Sequence, residues 1–360
     1  MPTHARRPPL AGPLPALARR ALPVALAATV AACGSGGSRP ARTTTEPSRP
    51  APAPGTASSM PPGPVSAALL PWGLPAPVSR PVVLAHGSDL LVLGGLDAAG
   101  SSVATVACLH PGGGTAAAVA SLAEPTHDAG GAVLGESAVV VGGGAATVYS
   151  SVQRLPLHGA GCGAGTGGGG GSGGSATASV AATLPRPRAD LSVARSGGTA
   201  YVVGGYDGKA LDPAVLATAD GVHFEVVAHL ADPVRYAAVA AAGPDVYVMG
   251  GEAHGQPVAA IQRVDPATGT TTVIGHLPVP LEGASAIVLR GRILVLGGEA
   301  GGRPSNGIVA VDPATGAATM AGHLPEAVAY AGAAVVGGAG YLVGGEGPAP
   351  LATVVRITGG

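Results

Sequence analysis

The sequence predicts an all-β chain folded into six repeated four-stranded units, and three observations carry that reading. Long amphipathic helical patterns are missing, and short apolar runs are punctuated by 61 Gly and 35 Pro in 360 residues, as expected for strands bounded by turns. A Gly-Gly pair follows such a run six times, beginning at Gly94, Gly142, Gly204, Gly250, Gly297 and Gly344, at intervals of 48, 62, 46, 47 and 47 residues. The residue 20 positions before each pair is leucine in all six cases: Leu74, Leu122, Leu184, Leu230, Leu277 and Leu324. A period near 47 residues suits one blade of a six-bladed β-propeller, for which about 40–50 residues are usual.

The runs "DLLVL", "SAVVV", "TAYVV", "DVYVM", "RILVL" and "AGYLV" are read as the second strand of each blade. In blade 5 the four strands are expected at residues 284–289, 292–296, 307–311 and 317–322. The turn between the last two is "DPATG", where Asp and Pro open the turn and Gly supplies positive φ. The same text occurs one blade earlier, in "VDPATGTTTVIGHLP" and "VDPATGAATMAGHLP". Glycine pairs are expected where the chain must turn without a Cβ. The single long interval holds a Gly/Ser-rich insertion, residues 159–177, read as a flexible loop between the third and fourth strands of blade 2.

The ends imply how the ring closes. The last blade has only three strands, whereas Leu74 ends a fourth strand that nothing precedes. Residues 65–74, with Trp72 among them, are therefore expected to complete the C-terminal blade and remove its open edge. The propeller is assigned to residues 64–360.

Residues 1–32 read as an export leader. Arg6, Arg7, Arg19 and Arg20 precede the apolar stretch "ALPVALAATVAA", which at about 12 residues suits a signal peptide and is too short to span a bilayer. It ends in "VAAC", which resembles the lipobox of bacterial lipoproteins and implies lipidation at Cys33. An ordinary signal peptide with a chance cysteine is the alternative. Residues 33–63 are a Pro/Ser/Thr/Gly tether that lacks the apolar content to bury a core. The expected location is the outer face of the cell membrane or the cell envelope.

The hydrophobic strand with Tyr, then Gly-Gly, then "VDPATG" and a closing strand ending in Leu-Pro resembles the kelch-repeat β-propellers, of the galactose-oxidase-like superfamily. The chain departs from that pattern at Val264 and Val311, where the family has Tyr before Asp-Pro, and in holding one Trp. The resemblance implies a ligand face around the central axis, on the side where the loops from strand four to strand one emerge. No copper-ligand motif transfers. Periplasmic sialic acid mutarotases share the six-bladed architecture, and that likeness implies the alternative function, a carbohydrate-active epimerase.

A formal net charge of −1 favours neither nucleic acid nor an anionic membrane surface as partner. Membrane contact is expected only through the lipid anchor, and the protein as a monomer. Cys108, placed at the end of a third strand, and Cys162 are a possible disulfide in an oxidising setting, with two free thiols the alternative.

Aligned on their glycine pairs, the blades place Arg80, Asp128, Asp190, Tyr236, Gly283 and Tyr330 at one position. Ser79, His127, Ala189, Arg235, Glu282 and Ala329 share the position before it. These two rings vary where the scaffold repeats, and an asymmetric ligand needs such variation. Arg80, His127, Asp128, Asp190, Arg235, Tyr236, Glu282 and Tyr330 are therefore the candidate ligand residues, read as exposed loop positions, with solvated residues of no special role the alternative. Glu252, Glu299 and Glu346, and likewise His229, His276 and His323, recur in successive blades. Their radial separation argues against a shared metal ion, and they are assigned structural roles such as hydrogen bonds within or between blades. No phosphate loop, dinucleotide fingerprint or catalytic triad is present. No cofactor, metal or catalytic residue is assigned, and the expected function is a non-catalytic module binding a protein or a glycan.

Overall fold

The computed structural model describes residues 64–113, 116–158 and 176–359, and their regular structure is entirely β. Six antiparallel sheets form the six blades of a propeller. The leader, the tether with Cys33, Cys162 and most of the insertion lie outside the described residues.

The second strands, Asp89–Leu93, Ser137–Val141, Thr199–Val203, Asp245–Met249, Arg292–Leu296 and Ala339–Val343, coincide with the six predicted runs. After their first residue they are apolar because both faces are covered, and alternate residues serve opposite neighbours. In Asp89–Leu93, Leu91 and Leu93 join a core shared with blade 2, while Leu90 and Val92 join one shared with blade 6. Each of the six apolar clusters fills one interface between neighbouring blades. Leu, Val, Ile and Ala build these cores, and burying one Leu or Val contributes roughly 1.5–3 kcal/mol. In blade 5 the inner and outer strands are Ser285–Leu289 and Ala318–His323, one residue later at the start than expected.

The glycine pairs join each blade to the loop that enters the next. The second glycine donates its N–H to a carbonyl there: Gly95 to Thr126, Gly143 to Arg188, Gly205 to Val234, Gly251 to Leu281, Gly298 to Val328 and Gly345 to Val78, at 2.7–2.9 Å. The first glycine lies against the same carbonyl. At Gly297 φ is 63°, and a Cβ would sit 2.2 Å from the Val328 oxygen. The pair is required by both backbone conformation and space.

The last of these bonds, Gly345 to Val78, closes the ring, and a strand shared between the two ends reinforces it. Val65–Leu69 pairs antiparallel with Val354–Gly359, with Val65 opposite Gly359. The strand stops at Leu69 rather than Leu74, because Pro71 has no N–H to extend the ladder. Leu70 and Leu74 still donate single backbone bonds to Val354 and Ala352. Trp72 thus lies beyond the strand, packed beside Leu70 and Leu74 on the core between blades 6 and 1.

Two further expectations need correction. Ala176–Thr177, assigned to a free loop of blade 2, forms a short strand parallel to the outer strand Ala117–Ser121 of blade 1. The open edge of blade 1 offers unpaired backbone groups there, and Ala178 adds a bond to Ser121. Cys108 is the penultimate residue of Thr105–Leu109 rather than its end. It is buried and disulfide-bonded, and Cys162, the partner proposed for it, lies outside the described residues.

The lock can be tested by comparing two glycines of similar φ. Gly243, in the blade 4 hairpin, has φ 63° and open space around its Cβ position. Gly243→Ala should cost about 1–2 kcal/mol, the ordinary penalty of the left-handed region. Gly297→Ala must also displace the Val328 carbonyl and its hydrogen bond, adding about 1–3 kcal/mol. Urea denaturation of both variants checks this, and equal losses would contradict the lock.

Candidate functional site at the mouth of the central channel

Each inner strand is entered through a residue in the left-handed conformation. Arg80, Asp128, Asp190, Tyr236, Gly283 and Tyr330 have φ of 57°, 53°, 59°, 55°, 61° and 51°, each two residues before its strand. Their backbones are bonded in succession around the axis. The N–H groups of Asp190, Tyr236, Gly283, Tyr330 and Arg80 donate to the carbonyls of Asp128, Asp190, Tyr236, Gly283 and Tyr330, at 2.7–2.9 Å. Glycine occupies this conformation without strain, whereas a larger residue there costs about 1–2 kcal/mol. Of the seven non-glycine residues with positive φ among those described, five belong to this ring. Strain retained at one ring of positions points to a function for the side chains that sit there.

These five side chains, with Gly283, Ser192 and Ser285, line a cavity of about 170 Å³ over the channel. The Arg80 guanidinium bonds Asp128 at 2.9 Å and Glu346 at 2.8 Å, and reaches the Tyr236 hydroxyl at 3.3 Å. Its carbon lies 4.0 Å from the centroid of Tyr330, within cation–π range. Tyr236 and Tyr330 meet edge to face, with centroids 5.3 Å apart.

The preceding ring stands behind the first. Its members form backbone bridges to the residue two places past each first glycine, including Arg235 with Glu252, Glu282 with Glu299 and Ala329 with Glu346. Arg235 bonds Glu252 at 2.7 Å and Asp190 at 3.2 Å. His127 shares a hydrogen bond with Ser102 at 2.9 Å, and its other nitrogen is 3.6 Å from Asp128. One carboxylate oxygen of Glu282 is buried without a hydrogen-bond partner.

Of the eight candidates, five line the cavity, while His127, Arg235 and Glu282 support them from behind. The reading as exposed loop positions does not hold: the side chains of Asp128 and Asp190 are only 8% and 9% exposed. The ring faces into the loop layer and each side chain is clasped by its neighbours. Glu252 and Glu346 pair with the arginines of the mouth and Glu299 bridges Glu282 through its backbone, so all three stand in the layer behind the cavity. His229, His276 and His323 lie exposed at the ends of outer strands. Their backbones pair in the sheets, but none of the three side chains makes a hydrogen bond with the described residues, which corrects the expectation of one.

Titration follows from this crowding. Burial pushes the Asp190 carboxyl from the ordinary 3.8 up to about 6, with the Asp128 charge adding to the shift and Arg235 opposing it. Burial also raises Glu282, helped by Glu252 and Glu299. His127 is held below its usual value by burial and by Arg80. Burial works against the charge on Arg80, but Asp128 and Glu346 outweigh it and fix the guanidinium in its charged form. Both phenols are shifted upward, chiefly by burial.

No protein-family model matches the chain, and no curated protein matches its sequence. Among solved structures it is similar to YjhT, with 17% identity and a TM-score of 0.66 over 80% of this chain and 97% of that one. At this identity the likeness shows the propeller fold alone.

The raised Asp190 makes a signed prediction. The native carboxyl holds its proton more tightly than the unfolded chain does. Stability from this group is therefore lost as pH rises from about 4 to 6, by on the order of 3 kcal/mol. Relative to the parent protein, Asp190→Asn should become progressively more stable across that interval in urea denaturation. A difference independent of pH would mean that Asp190 ionises normally.

Proposed function

We propose that the protein is a lipid-anchored, extracytoplasmic, kelch-like propeller that binds a small glycan, without catalysis, at the mouth of its channel. The observation that supports this reading best is the ring of left-handed positions filled by Arg, Asp and Tyr, where glycine would be relaxed. A strained residue is a cost that scaffolding alone does not explain. The side chains suit a sugar, with phenol ring faces for stacking and serine, carboxyl and phenol groups for hydroxyls. The cavity of about 170 Å³ is below the roughly 300–1,000 Å³ of drug-sized sites, which favours a monosaccharide or one terminal residue over a protein loop.

Calorimetric titration of the full chain with monosaccharides and cell-envelope fragments tests this reading. Tyr236→Ala should weaken binding at least tenfold, whereas His276→Ala, on an outer strand, should leave it unchanged. The reverse pattern would place the ligand face elsewhere.

A second reading, a mutarotase-like epimerase, draws on one observation. A carboxyl titrating at about 6 beside a phenol is poised for proton transfer near neutral pH. Anomer exchange of a bound sugar accelerated by the parent protein and not by Asp190→Asn would support it over simple binding.

The anchor rests on Cys33 and the leader before it. Two acyl chains hold a protein stably at a membrane where one does so only marginally. Cys33→Ser should abolish incorporation of labelled fatty acid and release the protein from the membrane fraction. Unchanged labelling would refute the assignment.

A further inference from the structure

Resting on the reading of the mouth as a glycan site, we infer that its ligand carries a free amino group, as a cationic amino sugar does, and that the site rejects carboxylated sugars. Six carboxylates stand at the mouth or in the layer behind it: Asp128 and Asp190 line the cavity, while Glu252, Glu282, Glu299 and Glu346 stand behind. Two guanidiniums answer them, and both are already engaged. Arg80 is held by Asp128 and Glu346, and Arg235 by Asp190 and Glu252, all within 3.2 Å.

An anionic sugar is held best by an unoccupied arginine fork or another free cation, whereas Arg80, the one cation of the cavity lining, already bonds Glu346 through Nε and Asp128 through Nη1. Taking Arg80 from its partners would leave Asp128, at 8% exposure, as an uncompensated buried charge, which is strongly destabilising. His127 bonds Ser102 and favours its neutral form. Lys209 and His254 line a separate groove beside Arg235, between the loops of blades 3 and 4, and do not line the cavity.

The same inventory attracts a cation. Glu282 and Glu299, paired through their backbones, have no ion-pair partner among the described residues. The Glu282 oxygen buried without a partner is an acceptor that lacks a donor, beside Gly283 of the cavity lining. Burial raises the Glu282 and Asp190 carboxyls, and neighbouring carboxylates add to it, Glu252 and Glu299 for Glu282 and Asp128 for Asp190. Six carboxylates against two guanidiniums leave negative charge in excess. An ammonium group relieves that excess, and a carboxylate adds to it. Glycan recognition by itself is silent on the sign of the ligand's charge; the pairing of both arginines decides it.

Calorimetric titration of the full chain with three matched series tests the inference at pH 7: the amino sugars, neutral hexoses and uronic acids of gluco, galacto and manno configuration. The best amino sugar should bind at least tenfold more tightly than its neutral counterpart, and the uronic acids more weakly than either. The preference should shrink when salt is raised from about 20 mM to 500 mM. It should also shrink in Glu282→Gln, whose melting temperature reports that it is folded. Equal binding of amino and neutral sugars overturns this inference and leaves the glycan site standing, as does tighter binding of the uronic acids. Binding by none of the three series overturns both.

Discussion

The structure depends on one hydrogen bond made six times, from the second glycine of each pair to a carbonyl in the loop that enters the next blade. It requires two successive residues in positive φ and an approach that any Cβ would block. This explains why the pair survives in every blade while most other positions drift. Apolar packing between blades supplies most of the stability, but packing alone tolerates sliding. A backbone bond with no side-chain tolerance fixes how far each blade sits from the axis. The entry loops then have one available path, and they meet at the channel mouth in a ring joined through main-chain groups.

Because the ring is held by its backbone, its side chains are free of structural duty. Five are of three kinds, one Arg, two Asp and two Tyr, and the sixth is Gly283, whose missing Cβ leaves room for the Tyr330 ring. The layer behind supplies partners: Glu346 for Arg80, Glu252 for Arg235. The outcome is a rigid polar floor whose groups are oriented before any ligand arrives. Preorganisation of this kind lowers the entropy cost of binding, and it extends to charge, since each guanidinium is already neutralised twice.

The parts of this arrangement legible in the sequence are those where local chemistry and tertiary position coincide. The second strands could be read to the residue because both faces are buried, so pattern and boundary are the same signal. The ring positions were found by period alone, since a fixed offset from the glycine pair fixes distance from the axis. Glu252, Glu299 and Glu346 were recognised as a repeat but grouped with His229, His276 and His323. Only the backbone bridges to the entry loops place the glutamates beside the mouth, while the histidines end the outer strands. Trp72 was assigned to a strand because Leu74 was taken as a strand end, and Pro71 overrides that pattern. The strand Ala176–Thr177 left no local trace, because its partner belongs to another blade.

The shared blade has a temporal consequence. Val65–Leu69 is the first strand of the propeller to be made, and its partner Val354–Gly359 is the last. Their contact spans nearly the whole chain, the kind of pairing that slows folding most. Through synthesis the first strand has no sheet to join, while the blades after it can assemble in order. Until the final residues arrive, blade 6 also presents an unpaired edge. The propeller therefore cannot mature blade by blade to completion. Pairing of the two ends must wait for the last strand, and until then the open edge can pair with another chain instead.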